Sequence, residues 1–488
     1  MKTILFSLLI LCSYPLSAQI RFVESPQTVL PFEGVGAGSV SFADIDADGD
    51  QDLFITGQND SLIHIARLYQ NDGQGRFAEL TTSSFVGVSG SSAAFSDVDG
   101  DGDQDLILSG LSPSIAGITK LYINDGQGIF SEDVNTIFLD AFSSSLAFSD
   151  VDGDGDEDVL ITGQSNFGDN SKLYKNDGQG VFTEDKVAPF WGVVNGSVAF
   201  ADVDADGDQD LIITGRSLGN NIFIAKLYIN DRVLDRFLED RGVPFEGVGN
   251  GAIAFSDVDG DGDQDLVLTG KTNASIRIAK LYENDGLGVF TEVQGTPFIG
   301  VDNSTVAFAD LDRDGDEDLI ISGDNGTNIP ITKLYKNGGQ GNFTEVLALP
   351  FLGVDFGDLA FADVDSDGDQ DLFLSGRDSS ANLVSKLYLN ESWAVGLGNT
   401  FETFEFIQFP NPVGKGTQDI SLRFTSTKAS VLNVQLLDVM GRQLIQKTER
   451  IFPGEQELAL DVSGLPKGNY IILLEDGERR GTQKLILR

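Results

Sequence analysis

The chain has one cysteine, one histidine, two methionines and two tryptophans among 488 residues. A single cysteine excludes an intramolecular disulfide and, with a single histidine, the Cys/His sets that hold zinc. There is no thiol nucleophile beyond the leader, and no GxSxG or HExxH pattern. Positive charge is scarce: 32 Lys and Arg stand against 76 Asp and Glu, a formal net charge of -44. That excludes nucleic acid and an anionic membrane surface as partners, since both need a basic patch. Beyond the N-terminus no stretch approaches the roughly 20 apolar residues that span a bilayer.

The cysteine, Cys12, falls where Lys2 is followed by an apolar run from Ile4 to Leu11 and then Leu16-Ser17-Ala18 before Gln19. Residues 1–18 therefore read as a signal peptide. Leu11 before Cys12 does not suit lipoprotein cleavage. The mature chain then carries no thiol, and export without disulfides is compatible with a stabilising metal in their place.

What is abundant is Phe, at 34, and Gly, at 57, which favours strands joined by tight turns. Seven copies of one pattern begin at Asp44, Asp97, Asp150, Asp202, Asp257, Asp310 and Asp363, at intervals of 52 to 55 residues. A period near 50 with this strand content predicts propeller blades of four strands each. Within a unit, an apolar strand ending in Phe-x-Asp leads into an acidic loop. A DLIITG-like strand, a KLYxN strand, a Gly-rich turn and a GxFxE strand follow. The Asn-Asp-Gly run reads as plain turn chemistry. The seventh unit lacks its fourth strand, and Ile20-Arg21-Phe22-Val23-Glu24 is an orphan strand that would supply it. Pairing them closes a ring and removes two open sheet edges. A rival fourth strand exists at Asn399-Thr400-Phe401-Glu402.

The acidic loops carry Asp at positions 1, 3, 5, 7 and 9 without exception, 35 of the 76 acidic residues in seven sets of five. Two like charges about 4 Å apart repel by roughly 4 kcal/mol at an effective dielectric near 20, so an empty loop resists compaction. All-oxygen donors at alternate positions suit a hard cation with six to eight ligands, and a flexible loop favours calcium over magnesium. Up to seven calcium ions are expected. By analogy with calcium loops generally, positions 1, 3, 5 and 9 supply carboxylates. These are Asp44, Asp46, Asp48 and Asp52 in the first loop and Asp97, Asp99, Asp101 and Asp105 in the second. Asp150, Asp152, Asp154 and Asp158 serve the third, and Asp202, Asp204, Asp206 and Asp210 the fourth. Asp257, Asp259, Asp261 and Asp265 serve the fifth, Asp310, Asp312, Asp314 and Asp318 the sixth, and Asp363, Asp365, Asp367 and Asp371 the seventh. Position 7 supplies its backbone carbonyl: Asp50, Asp103, Asp156, Asp208, Asp263, Asp316 and Asp369. An EF-hand is excluded, because position 12 of the first loop is Ile55 and flanking helices are lacking.

Phe-x-Asp, then D-x-D-x-D-G-x-x-D, then LYxNDGxGxF is similar to the FG-GAP or VCBS repeats of integrin-α-like propellers. The likeness covers residues 20–394. It implies an all-β, seven-bladed β-propeller with structural calcium in loops on one face and partner binding on the other. Two departures stand out: Asp231-Arg232-Val233-Leu234-Asp235 replaces DGxG in the fourth unit, and Arg313 replaces a small residue in the sixth loop.

After a linker at 395–405, residues 406–488 read as short strands of a small β-sandwich. Pro410-Asn411-Pro412, Gly441-Arg442, Gly468-Asn469-Tyr470 and the ending Lys484-Leu485-Ile486-Leu487-Arg488 resemble the type IX secretion sorting domain. That likeness implies export to the medium or the outer cell surface, with the secretion machinery as a partner.

With His64 alone in a loop, the sequence points to a binding or adhesion module for an extracellular protein or glycan rather than an enzyme. The alternative is a calcium-dependent polysaccharide lyase, which related propellers resemble and which could use Asp, Lys, Arg or Tyr as acid or base. Strand parity puts the second-to-third loops and the PFxGV segments opposite the acidic loops. Glu33, Trp191, Phe223, Glu246 and Arg277 are the candidate ligand-face residues there, beside His64, Phe167 and Ile299.

Overall fold

Why the repeat folds into sheets is visible in its second strand. Asp52–Gln58, with the sequence DLFITGQ, is buried over its first six residues, as a continuous apolar run must be when it is covered on both faces. The computed structural model describes residues 20–25, 32–327, 329–392, 402–403, 406–409, 419–426, 430–438, 443–475 and 479–487. The expected signal peptide and nearly all of the expected linker lie outside them, as do Pro410-Asn411-Pro412 and Gly441-Arg442. All regular elements among the described residues are strands. The chain divides into two compact units, Met1–Trp393 and Ala394–Arg488.

The first unit holds seven four-stranded antiparallel arrays, each carrying one acidic loop between its first and second strands. In the first array Val40–Ala43, Asp52–Gln58, His64–Asn71 and Phe77–Leu80 pair in sequence order. The fourth and fifth arrays are joined into one sheet by the short strand Val248–Gly249. The seventh consists of Leu359–Ala362, Asp371–Arg377 and Leu383–Asn390, and its fourth strand is Phe22–Glu24 from the N-terminus, with Phe22 opposite Asn390. Of the rival strand, only Glu402 lies among the described residues. Glu402–Thr403 pairs with Arg479–Leu487 in the second unit.

Neighbouring arrays share their cores. Ile45 and Phe54 pack with Val88, Leu106 and Tyr122 of the second array. Leu53 and Ile55, from the other side of the first, pack with Val364, Phe373 and Leu387 of the seventh. A valine of the PFxGV segment ties such junctions together. Val88 bridges to Ile65, Val301 to Ile278 and Val35 to Val384, the last joining the first and seventh arrays, and all three valines are fully buried.

The second unit has a five-stranded and a three-stranded sheet, with Ile420, Leu422, Val434, Ile472 and Leu474 in a common core. Its strands are longer than the sequence pattern suggests, for example Asp419–Ser426 and Gln443–Ile451.

Phe22 is almost fully buried and meets Phe351 edge-on at 4.9 Å between ring centroids. Phe22→Ala should therefore cost about 3–5 kcal/mol, as large-to-small aromatic core changes do. Denaturant unfolding measures it, and an unchanged midpoint would show that the N-terminal strand is not docked in solution.

Candidate metal centre

Each acidic loop leaves the first strand of its array and wraps around the carboxylate at position 1. In the first loop Asp44 accepts the backbone N–H of Asp48 at 3.2 Å and of Gly49 at 3.0 Å, and Asp48 accepts that of Asp50 at 3.0 Å. The bend needs a left-handed residue at position 4: Ala47, Ala205, Arg313 and Ser366 have φ of 56° to 58°, and Gly100, Gly153 and Gly260 of 75° to 78°. That explains the small residues there. Arg313 keeps this conformation and reaches the seventh loop, where its guanidinium lies 3.4 Å from the Asp367 carbonyl.

The wrapping gathers carboxylates. Oxygens of Asp44, Asp46 and Asp48 lie within 4.8 Å of one another, as do those of Asp97, Asp99 and Asp101, and of Asp202, Asp204 and Asp206. In the third and fifth loops the sets are Asp150, Asp152 and Asp158, and Asp257, Asp259 and Asp265. At position 3 one buried carboxylate oxygen has no hydrogen-bond partner in six of the seven loops: Asp46, Asp99, Asp152, Asp204, Asp312 and Asp365. Burial followed by the neighbouring aspartates raises the pKa of Asp46, Asp99, Asp204 and Asp365. A buried oxygen without a donor is costly unless a cation completes it, so the donor set fits a hard metal ion.

Position 9 does a second job. Asp52 accepts the N–H of Ile45 at 3.2 Å and of Asn71 at 2.7 Å, tying the loop to the third strand of its own array. The Asn71 amide then donates to the Val364 carbonyl in the seventh loop at 2.8 Å. The same bond recurs from Asn124 to Ile45, Asn176 to Val98, Asn230 to Val151, Asn284 to Val203, Asn337 to Val258 and Asn390 to Leu311. This asparagine, a turn residue by its sequence, links each array to the loop of its neighbour. Its register, two residues after the Tyr in every unit, is the signal that could have found it. Gly75, Gly128, Gly180, Gly288 and Gly341 donate to the same carbonyls.

In the first, second, third and fifth loops the position-7 side chain lies against a glycine of the turn that follows the third strand: Gly73, Gly126, Gly178 and Gly286. The Asp50 carboxylate sits against Gly73, where an added Cβ would come within 2.4 Å of it, so the turn needs glycine. In the fourth unit Arg232 takes that place, pairing with Asp208 and donating to the Gly207 carbonyl at 2.8 Å. Asp369 in the seventh loop is buried with neither oxygen hydrogen-bonded, and burial, then Asp367, pushes its pKa up to about 8. The residue after each Tyr further distinguishes the loops. Lys336 contacts Asp312 and lies 2.9 Å from Asp314, and Lys175 lies 3.2 Å from Asp152.

On the opposite side, Trp191 is half-buried against the core, with the Lys226 ammonium 4.5 Å from its ring centroid. Glu33 pairs with Arg67 and Glu246 with Lys280. Ile299 donates its N–H to the Tyr335 hydroxyl at 3.2 Å. Arg277 holds Asp302 at 2.6 Å and Asp324 at 2.7 Å, and Phe223 is clasped through its backbone by Asn273. Phe167 is 98% exposed. His64 lies 3.3 Å from the Ser89 hydroxyl, but its Nδ1 has no partner to orient the ring.

Residues 44–108, 97–161, 150–213, 257–321 and 310–374 match the FG-GAP-like repeat, and residues 408–488 match the secretion system C-terminal sorting domain. The repeats cover more than half of the chain, which belongs to the FG-GAP-like repeat family. It is a member exported through the type IX system, to the medium or the cell surface, by its C-terminal sorting domain. No curated protein matches it. Among solved structures it is similar to an Aleuria aurantia lectin in complex with α-methyl-L-fucoside, at 11% identity and a TM-score of 0.38, over 66% of this chain and 97% of that one. An exo-β-1,3-galactanase from Phanerochaete chrysosporium matches at 10% identity and a TM-score of 0.31, over 68% and 94%.

Burial holds Asp52, Asp105, Asp158, Asp210, Asp265, Asp318 and Asp371 at pKa values of about 7, against a partial opposing effect of their backbone hydrogen bonds. A folded-state pKa above the ordinary value of 3.8 means that the folded state binds more protons between the two. Metal-free protein should then lose stability as pH rises from about 4 through 7. Melting temperatures of chelator-stripped protein across that range test this, and a rise toward neutral pH would contradict it.

Proposed function

We propose that this chain is an exported seven-bladed propeller whose loops hold calcium and whose opposite face binds an extracellular protein or glycan. The observation that carries the metal reading is the unpartnered buried oxygen at position 3, repeated in six loops and, in the first four, placed beside the carboxylates of positions 1 and 5 or 9. Positions 1, 3, 5 and 9 would hold the ion by carboxylates, and position 7 by its carbonyl. Bound there, calcium would neutralise the clustered charge and stiffen the loop. The position-2 carbonyl of that loop already accepts from the neighbouring array, so the ion's effect would pass across each junction.

The binding reading rests on the division of labour between the faces. One face repeats the same side chains seven times, which leaves little to distinguish one partner from another. The other face varies within the repeated frame. Exposed Phe167 lies in the turn between second and third strands, and paired Arg277, expected in that loop, is the first residue of its third strand, as His64 is of its own; these positions have different side chains in the other units.

The loops should not be equal. An ammonium already sits on position 3 in the third and sixth loops, and competes with a cation there. Calcium added to stripped protein should raise its melting temperature, each site contributing about 2.7 kcal/mol at a hundredfold excess over Kd. An unchanged melting temperature sinks the proposal. Lys336→Leu, which installs the residue of the seventh unit, should tighten one site about tenfold, roughly 1.4 kcal/mol, in titration calorimetry. Asp204→Ala should remove one site and leave the remainder.

Deleting residues 394–488 should leave the first unit folded, since it has its own core, and should hold it in the periplasm. Cell fractionation checks this. Normal appearance of the truncated chain outside the cell would refute the division of roles.

A further inference from the structure

A second ring of equivalent residues lies at the end of each array's first strand that faces away from the acidic loops. Ala37, Gly90, Ser143, Asn195, Asn250, Asn303 and Phe356 all have φ between 47° and 51°. Backbone hydrogen bonds join them around the ring: Ala37 N–H to Phe356 O at 2.6 Å, Gly90 to Ala37 at 2.6 Å, Asn195 to Ser143 at 3.0 Å, Asn250 to Asn195 at 2.8 Å and Phe356 to Asn303 at 3.0 Å. Ser304, beside Asn303, donates to Asn250 at 3.4 Å. The left-handed conformation suits glycine and asparagine and is poor for a bulky side chain. Six units follow that rule or use a small residue. The seventh places a phenylalanine there.

Phe356 is not taken into the core in exchange, since it remains 43% exposed. It is nevertheless held. The Arg377 guanidinium lies 4.7 Å from its ring centroid, and Asp355, which is buried, fixes that guanidinium through two hydrogen bonds of 2.9 and 2.8 Å. A strained, exposed aromatic on a braced support is the pattern of a ligand contact rather than of packing. Next to it along the ring are Asn303, Asn250 and Asn195, whose side-chain amides make no hydrogen bond to another described residue.

We propose that Phe356 is the stacking platform of a carbohydrate site at this ring, with the amides of Asn303 and Asn250 as its hydrogen-bonding partners, and that the ligand is a neutral oligosaccharide. This deepens the reading of the opposite face as the binding face and rests on it. A pyranose has an apolar C–H face for the ring and hydroxyls that both donate and accept, which matches amides able to do both. Neighbouring charges are already committed, Asp355 to Arg377 and Asp302 and Asp324 to Arg277, so an ionic ligand would have to break an ion pair. The chain's net charge of -44 further disfavours an acidic glycan. A protein partner needs a cluster of anchors over a wide area, and this ring offers one aromatic.

Calcium-loaded full-length mature protein is titrated with cellohexaose, laminarihexaose, xylohexaose and mannohexaose, and with hexagalacturonate as the charged counterpart, by saturation-transfer NMR and calorimetry. At least one neutral hexasaccharide should bind. Phe356→Asn, which installs the residue of three neighbouring units, should weaken it at least tenfold, while its melting temperature holds or rises because the strain is relieved. Phe356→Trp should retain binding, and Asn303→Ala should weaken it several-fold. The proposal is overturned if no neutral hexasaccharide binds, if hexagalacturonate binds as tightly, or if Phe356→Asn binds like the parent. Loss of binding in Trp191→Ala but not in Phe356→Asn would overturn this site and leave the face assignment standing. Loss only in Gln127→Ala, in the turn on the acidic side, would overturn both.

Discussion

The hydrogen bond from the asparagine of each third strand to the second carbonyl of the neighbouring acidic loop is the constraint on which the rest of the first unit depends. It fixes three things at once. The asparagine's own N–H is held by the position-9 aspartate, so the loop and the third strand of one array are rigidly related. Its side chain then sets the distance to the next array, and the bonds from Asn71 to Val364 and from Asn390 to Leu311 treat the seventh array like any other. A repeat of this kind derives its stability from nearest-neighbour interfaces. Here the loop is itself the interface, so whatever neutralises the loop also stabilises the junction.

This places a buried carboxylate in every junction, and that is chemically demanding. Position 9 is nearly inaccessible to solvent in all seven loops, and its pKa of about 7 reflects the cost of ionising it there. Two backbone donors offset part of that cost. The orphaned oxygen at position 3 has no such compensation. Every junction thus carries charge that the protein's own donors offset only in part.

Much of this is legible in the chain itself. Period, strand order and acidic loops follow from spacing, because each is repeated, and the sorting segment is recognised by its resemblance to a known family. The N-terminal strand can be assigned by counting, since one unit lacks a strand and one strand lacks a unit. What cannot be read is the use of each side chain in three dimensions. Asn71 and its equivalents pass for turn residues because the turn reading accounts for them locally, and only the partner array reveals the other bond. Trp191 is a ligand-face candidate because it stands at a variable position of a repeated segment, and nothing in the sequence says what lies over its ring. Lys226, a residue the repeat uses to pair with Glu239, covers it. Arg313 looks like a threat to its loop, but its backbone takes the same left-handed turn as alanine and its side chain leaves toward the next loop.

The departures from the repeat carry more information than the repeat does. Position 4 of the acidic loops and the ring that includes Phe356 impose the same left-handed backbone on seven residues each, and in both sets most units answer with Gly, Ala, Ser or Asn. Arg313 and Phe356 are the exceptions. Arg313 is accommodated within the fold, since its guanidinium reaches the carbonyl of the adjacent loop. Phe356 remains exposed on a support built from Arg377 and Asp355, although a smaller residue would satisfy the backbone better. Both exceptions keep the backbone that their repeat imposes, so the frame tolerates either side chain, and they differ only in what that side chain then meets: a carbonyl of the next loop for Arg313, a braced guanidinium for Phe356.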